Sequence, residues 1–264
     1  MKGSKFFSQV ELLLRILPVV ARQKVFALKG GTAINLFYRD MPRLSVDIDL
    51  VYLPIEDRKS TFKNLTSAME EIHREIERLI NAVTVREHRI RENNTITRLI
   101  VEGPTTAIKV EPNTVLRGSV YPVEMLTTVP SVTETFGTSV TAPLLSRAEV
   151  YAGKLCAALD RQHPRDLFDV KVLFDNEGIT DEIRKAFVVY LVSHNRPMDE
   201  LLRPHLLDKR ELFETEFRTM TSAEVSYSQL EKARKKLTTF LGDNLTEAER
   251  RFVLSIARGE PEWE

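Results

Sequence analysis

The sequence predicts an α+β protein in which an N-terminal domain built on a mixed sheet, residues 1–143, precedes an all-helical domain, residues 144–264. Three observations predict it. Runs such as "SVDIDLVYL", "VTVREHRI", "TITRLIVEG" and "TAIKVEPN" alternate at period two and fall in the first half, as half-buried strands do. A long stretch with apolar residues at spacings of three and four, "IEDRKSTFKNLTSAMEEIHREIERLINAV", interrupts them. From about residue 145 onward the same helical spacing takes over entirely.

The elements follow in order. Residues 9–22 form an amphipathic helix, and "KVFALK" reads as a short strand or a helix end that runs into Gly30-Gly31. "TAINLFYR" has helical spacing and leads to the strand "SVDIDLVYL". After the long helix come three strands, the last two separated by Gly103-Pro104, then the short extended runs "VEMLTTV" and "TSVTAPL". Helices are predicted at "SRAEVYAGKLCAALDRQ", "PRDLFDVKVLFDN", "TDEIRKAFVVYLVSH", "DKRELFETEFRTM", "SQLEKARKKLTTFLG" and "TEAERRFVLSIARGE".

Composition bounds the function. With 38 basic and 38 acidic residues, bulk charge announces neither a nucleic-acid nor a membrane partner, so any such binding must use a local patch. The lone Cys156 has no intramolecular partner, which fits a reducing compartment. The N-terminal apolar runs are broken by Glu11, Arg15 and Pro18, unlike a signal peptide. No run reaches the roughly 18 apolar residues of a membrane span. A cytoplasmic protein that does not enter the membrane is expected.

The stretch "LKGGTAINLFYRDMPRLSVDIDL" holds the chemistry. Side chains alternate across a strand, so Asp47 and Asp49 share one face. Two adjacent carboxylates repel unless a cation or a proton lies between them. The alternation in "AIKVEP" likewise puts Lys109 and Glu111 on one face. If the two strands are neighbours, Asp47, Asp49 and Glu111 form an all-oxygen set suited to hard divalent cations. Gly30 and Gly31 sit where an extended segment turns into a helix, a place where backbone approaches phosphate closely. Thr32 adds a hydroxyl. Glu102 and Glu87 are the alternatives to Glu111.

That ordered combination resembles the DNA polymerase β-like nucleotidyltransferase superfamily, whose first motif is a helix-opening glycine pair followed by D-x-D. More narrowly, Lys29 to Thr32 and Arg43 to Leu50 resemble the AbiEii nucleotidyltransferase toxin family, with its "KGGT" and "R-x-S-x-D-I-D-L" runs. "YAGKLCAALDRQHPRDLFDV" is similar to the family's later motifs, a helical lysine and an R-D-x-x-D helix. The resemblance implies transfer of a nucleoside monophosphate from a nucleoside triphosphate to an acceptor, releasing pyrophosphate. It implies Mg2+ or Mn2+ on Asp47, Asp49 and Glu111, with Gly30, Gly31, Thr32, Arg43 and Lys154 on the nucleotide. Asp166 is then a functional acid beside Lys154, and Arg165 and Asp169 are secondary candidates. An RNA acceptor such as tRNA, or else a protein, is implied, as is a separately encoded winged-helix antitoxin.

Three further readings accompany this one. Ser45 lies two residues before Asp47 on the same strand face, where a phosphoryl group would compete for cation or repel triphosphate. The cluster "EKARKKL", with Lys232, Arg234, Lys235 and Lys236, presents a basic helix face to RNA phosphates or simply to water. A small-molecule transferase and a non-catalytic nucleotide- or partner-binding module are the competing functions.

Overall fold

The computed structural model describes residues 4–263. The chain divides into two compact units, Met1–Ser146 with Thr219–Ala223 and Arg147–Arg218 with Glu224–Glu264. The division thus falls after Ser146 rather than after residue 143, and a short segment of the second half belongs to the first unit.

The first unit runs α1 (Lys5–Val20), β1 (Phe26–Lys29), α2 (Gly30–Ala33), β2 (Asp47–Tyr52), α3 (Arg58–Leu79), β3 (Thr84–Arg89), β4 (Ile96–Glu102), β5 (Ala107–Arg117), β6 (Glu124–Thr127), α4 (Pro130–Phe136) and β7 (Thr141–Leu144). The strands form one sheet in the order β3-β4-β5-β2-β1-β7-β6. It is mixed, as predicted: β2 runs parallel to β5 and β1 to β7, and the other pairs are antiparallel.

Period-two alternation decides what each face of β2–β5 does. Ile48, Leu50, Leu99, Val101, Ile108 and Val110 are at most 2% exposed. Glu87 and Leu99 are register partners on that same face, and Glu87 meets His73 of α3. This is therefore the side on which α3 packs, through Leu65, Met69, Ile72 and Ile76. Each aliphatic side chain so buried contributes about 1.5–3 kcal/mol. The opposite face carries Arg86, His88, Arg98, Lys109, Glu111, Asp47 and Asp49, none of them buried.

The "TAINLFYR" helix begins as α2 but widens into a π-helical turn over Ile34–Tyr38, closed by the Arg39 N–H on the Ile34 carbonyl. Residues 219–223 brace the loop that leads into β2: the Leu44 N–H donates to the Met220 carbonyl (2.7 Å), and the Thr221 hydroxyl donates to the Pro42 carbonyl (2.8 Å). No periodicity in the sequence announces this return.

The second unit comprises α5 (Arg147–Asp160), α6 (Pro164–Asp175), α7 (Asp181–Val192), α8 (Met198–Leu202), α9 (Arg210–Thr215), α10 (Tyr227–Asn244) and α11 (Glu247–Arg258). Capping boxes open the last two, Ser226 with Gln229 and Thr246 with Glu249, each satisfying two N–H groups that the helix leaves unpaired. "DKRELFETEFRTM" is not one helix but α9 and a 3₁₀ turn, Phe217–Thr219. The basic cluster is also corrected: Arg234 is buried and donates to Gln162 Oε1 and the Leu207 carbonyl, both at 2.7 Å. Only Lys232, Lys235 and Lys236 remain exposed, and Lys236 lies over the Phe174 ring.

Candidate active site

The two acids on β2 stand opposite two residues of β5. In the parallel register Asp47 pairs with Lys109 and Asp49 with Glu111, while Lys29 of β1 pairs with Asp49. Hydrogen-bonded neighbours in a sheet carry their side chains to the same face. Asp47, Asp49, Lys109, Glu111 and Lys29 therefore share one side.

The glycine pair is built around these acids. Gly30 adopts φ +73°, a left-handed conformation that costs other residues roughly 1–2 kcal/mol. A Cβ there would also overlap the Asp49 carboxylate. At Gly31 a Cβ would lie 2.8 Å from an Arg43 guanidinium nitrogen and 2.9 Å from the Ser45 hydroxyl. Neither glycine is a mere turn residue: each makes room for a named polar side chain. Gly30→Ala is expected to displace Asp49, removing activity while lowering stability by only about 1–2 kcal/mol; nucleotide binding and a melting curve on the same preparation check both halves.

Thr32 is fully buried, and its hydroxyl contacts the Asp47 carbonyl at 2.6 Å and Ser45 Oγ at 3.1 Å. It fastens α2 to the start of β2. Asn35, one turn on and also fully buried, donates from Nδ2 to the Gly31 carbonyl (2.9 Å). Arg43 is 2% exposed and donates to the Leu44 carbonyl. Ser45 is 6% exposed, so phosphorylation there would require local opening. Together Thr32, Asn35, Arg43 and Ser45 form the scaffold beneath Gly31 and Asp47.

Glu111 is held elsewhere. Its Oε1 accepts from Arg98 Nε at 2.5 Å, and both side chains are partly exposed. Of the alternatives, Glu102 pairs with Arg86 on the same face. Glu87 lies on the α3 face, between His73 (2.6 Å) and Arg89 (2.7 Å). Burial would raise the Glu87 pKa, but the hydrogen bonds from His73 and Arg89 outweigh it and lower it. Facing away from Asp47 and Asp49, Glu87 cannot join them.

Among the described residues no three His, Cys, Asp or Glu side chains are grouped closely enough to hold a metal ion. The donor chemistry and the register of Asp47 and Asp49 nevertheless fit a hard divalent cation, which takes carboxylate oxygens. Glu111 fits as a third ligand only after leaving Arg98.

The other motif builds a cluster inside the helical unit. Lys154, 5% exposed, places Nζ 2.7 Å from Asp166 Oδ1 and 3.1 Å from Asp169 Oδ2. Arg161 donates to Asp166 through Nε (2.6 Å) and Nη2 (3.0 Å). His163 caps α6 by accepting from the Arg165 N–H, and Pro164 follows as its first residue. Asp166 thus sits in the first helical turn, where the dipole favours an anion. Its burial would raise its pKa, but the charge of Lys154 and the hydrogen bonds of Arg161 outweigh this and hold it well below the usual carboxylate range. Asp166 and Asp169, three apart, do share a side, as their spacing predicts. Sequence reading missed Arg98 and Asn35, which contact the candidate residues of the sheet unit, and Arg161, which contacts Asp166 in the helical unit.

A known structure shares this architecture. The fold is similar to that of MenT4, a nucleotidyltransferase toxin from Mycobacterium tuberculosis H37Rv, with TM-score 0.70, 18% identity, and coverage of 94% of this chain and 87% of that one. A weaker likeness, TM-score 0.48 at 14% identity, covers 93% of this chain and all of a crystal structure from H. pylori described only as a candidate nucleotidyltransferase. No curated protein sequence matches. Residues 11–254 match the family described as "Nucleotidyl transferase AbiEii toxin, Type IV TA system". Lys29 to Thr32, the aspartate pair of β2, Lys154 and Asp166 all lie in that span, and the chain belongs to the AbiEii family of nucleotidyltransferase toxins.

Proposed function

We propose that this protein transfers a nucleoside monophosphate from a nucleoside triphosphate to an RNA acceptor, with tRNA as the acceptor class, releasing pyrophosphate, and that a separately encoded winged-helix antitoxin opposes it. The observation that carries the reading is the pair Asp47 and Asp49 on one strand face with Gly30 folded against Asp49. A left-handed glycine whose missing side chain leaves room for one carboxylate of a same-face pair suits a site that takes a cation and a phosphate chain together.

Asp47 and Asp49 would hold Mg2+ or Mn2+, which would supply charge neutralisation for triphosphate oxygens and a lowered pKa for an attacking hydroxyl. The backbone at Gly30, bare of a side chain, lets the triphosphate lie close to these acids. Thr32 and Asn35 keep this backbone in place. Glu111, once clear of Arg98, is the carboxylate of β5 at the level of Asp49 and the base nearest an acceptor hydroxyl. Lys109, exposed beside Asp47, adds a positive charge at the same level of the sheet. The family pattern gives Lys154 a phosphate-holding role; that role competes with its two buried aspartate partners.

Incubating the protein with each α-labelled nucleoside triphosphate in turn, Mg2+ and total cellular RNA tests the reading. Label is expected on RNA of tRNA size from one preferred nucleotide, and to vanish with EDTA. Failure to label RNA with any of the four would overturn it.

A further inference from the structure

Two rows of side chains cross the open face of the sheet at right angles to the strands. Arg86, Ile100, Lys109 and Asp47 are successive register partners on β3, β4, β5 and β2. In the adjacent row His88 pairs with Arg98, Arg98 is ion-paired to Glu111, and Glu111 pairs with Asp49. Arg86, His88 and Lys109 are exposed, and the Arg98 side chain is 39% exposed. Basic and imidazole groups therefore stand between the sheet edge and the acidic pair, Arg86 among them held by Glu102, and Arg98 grips the third carboxylate.

We propose that Arg98 binds a backbone phosphate of the acceptor RNA and restrains Glu111 until that phosphate displaces it. The inference rests on the nucleotidyl-transfer reading of the same site. A partly exposed ion pair is weak, because water screens it and two side chains must be immobilised to form it. Phosphate competes well for such an arginine, offering oxygens that match the guanidinium fork. The arriving anion also repels Glu111 and turns it out of the pair. Arg98 stands two strands from Asp49, about 10 Å at ~4.8 Å per strand. A phosphate on Arg98 thus leaves about the length of a nucleotide or two between it and the reacting position. Lys109, exposed, stands on the intervening strand in the adjacent row, opposite Asp47. The acceptor itself completes the carboxylate set, so Glu111 becomes available only when there is something to modify.

The test uses binding without reaction. Full-length protein and the small-RNA fraction of total cellular RNA are titrated in EDTA with no nucleotide present, and melting curves verify each variant. Arg98→Gln is expected to weaken RNA binding and Glu111→Gln to strengthen it, each by about three- to tenfold, because the second change leaves the guanidinium to phosphate alone. Arg98→Lys should fall between wild type and Arg98→Gln, keeping the charge but losing the fork. The double variant should match Arg98→Gln. A merely structural pair would give no gain in affinity for Glu111→Gln, and that result overturns the inference, as does undiminished binding by Arg98→Gln. A wild-type protein that transfers no nucleotide overturns the transfer reading instead, which the titration does not touch.

Discussion

Asp47→Asn is expected to lower nucleotidyl transfer by roughly two to three orders of magnitude, the scale on which one preorganised electrostatic partner is removed from a transition state. Its melting temperature should change little. The two halves of this expectation come from the same geometry. Asp47 and Asp49 share a strand face with Lys109 and Lys29 as their cross-strand partners, and at such a partly exposed position the loss of one charge changes the fold's stability little. The Thr32 contact survives, since it is made to the Asp47 main-chain carbonyl and not to the carboxylate. Side-chain volume is nearly conserved. Activity lost at undiminished stability is the mark of a residue kept for chemistry, and measuring both on one preparation checks it. A drop of several degrees with transfer intact would make Asp47 a structural acid and leave the site without its first ligand.

Much of this site was legible in the sequence because it depends on local rules. Period-two alternation placed Asp47 with Asp49 and Lys109 with Glu111, and the register confirms each pairing of faces. The glycine pair was legible as a special backbone position, though not its reason: only the fold shows that the space beside Gly30 belongs to Asp49 and that beside Gly31 to Arg43 and Ser45. Thr32 illustrates the limit. Its hydroxyl type is evident from the sequence, but whether a hydroxyl faces ligand or protein depends on packing, and this one is buried against β2. Arg98 was within reach. Once the β4–β5 hairpin pairs Glu102 with Ala107, counting back along both strands brings Arg98 opposite Glu111. What hid it was attention to acids alone. The return of residues 219–223 to the first unit was beyond reach, since it rests on two long-range hydrogen bonds that no spacing encodes.

Lys154→Ala is expected to destabilise the helical unit by about 3–5 kcal/mol, because it takes one cation from two buried carboxylates. Asp166 and Asp169 are at most 1% exposed. Asp166 keeps the Arg161 fork, whereas Asp169 loses its contact with Nζ. On a unit of this size the melting temperature should fall by roughly 10 °C or more. The pH dependence follows from the lowered Asp166 pKa. A carboxyl whose folded pKa lies below its unfolded value stabilises the fold above the unfolded value, and that contribution is lost as pH falls toward the folded one. With an unfolded pKa of about 3.9, the gap between wild type and Lys154→Ala should be constant near neutrality and narrow below about pH 4. Calorimetry across that range measures it. An unchanged melting temperature at pH 7 would mean that the lysine contributes nothing to the fold and that its charge is available to a triphosphate. A large drop means that any loss of transfer in this variant reports folding first. In that case a phosphate role for Lys154 has to be read from nucleotide affinity measured well below the variant's melting transition, where the surviving folded protein still displays whatever the ammonium group contributed to binding.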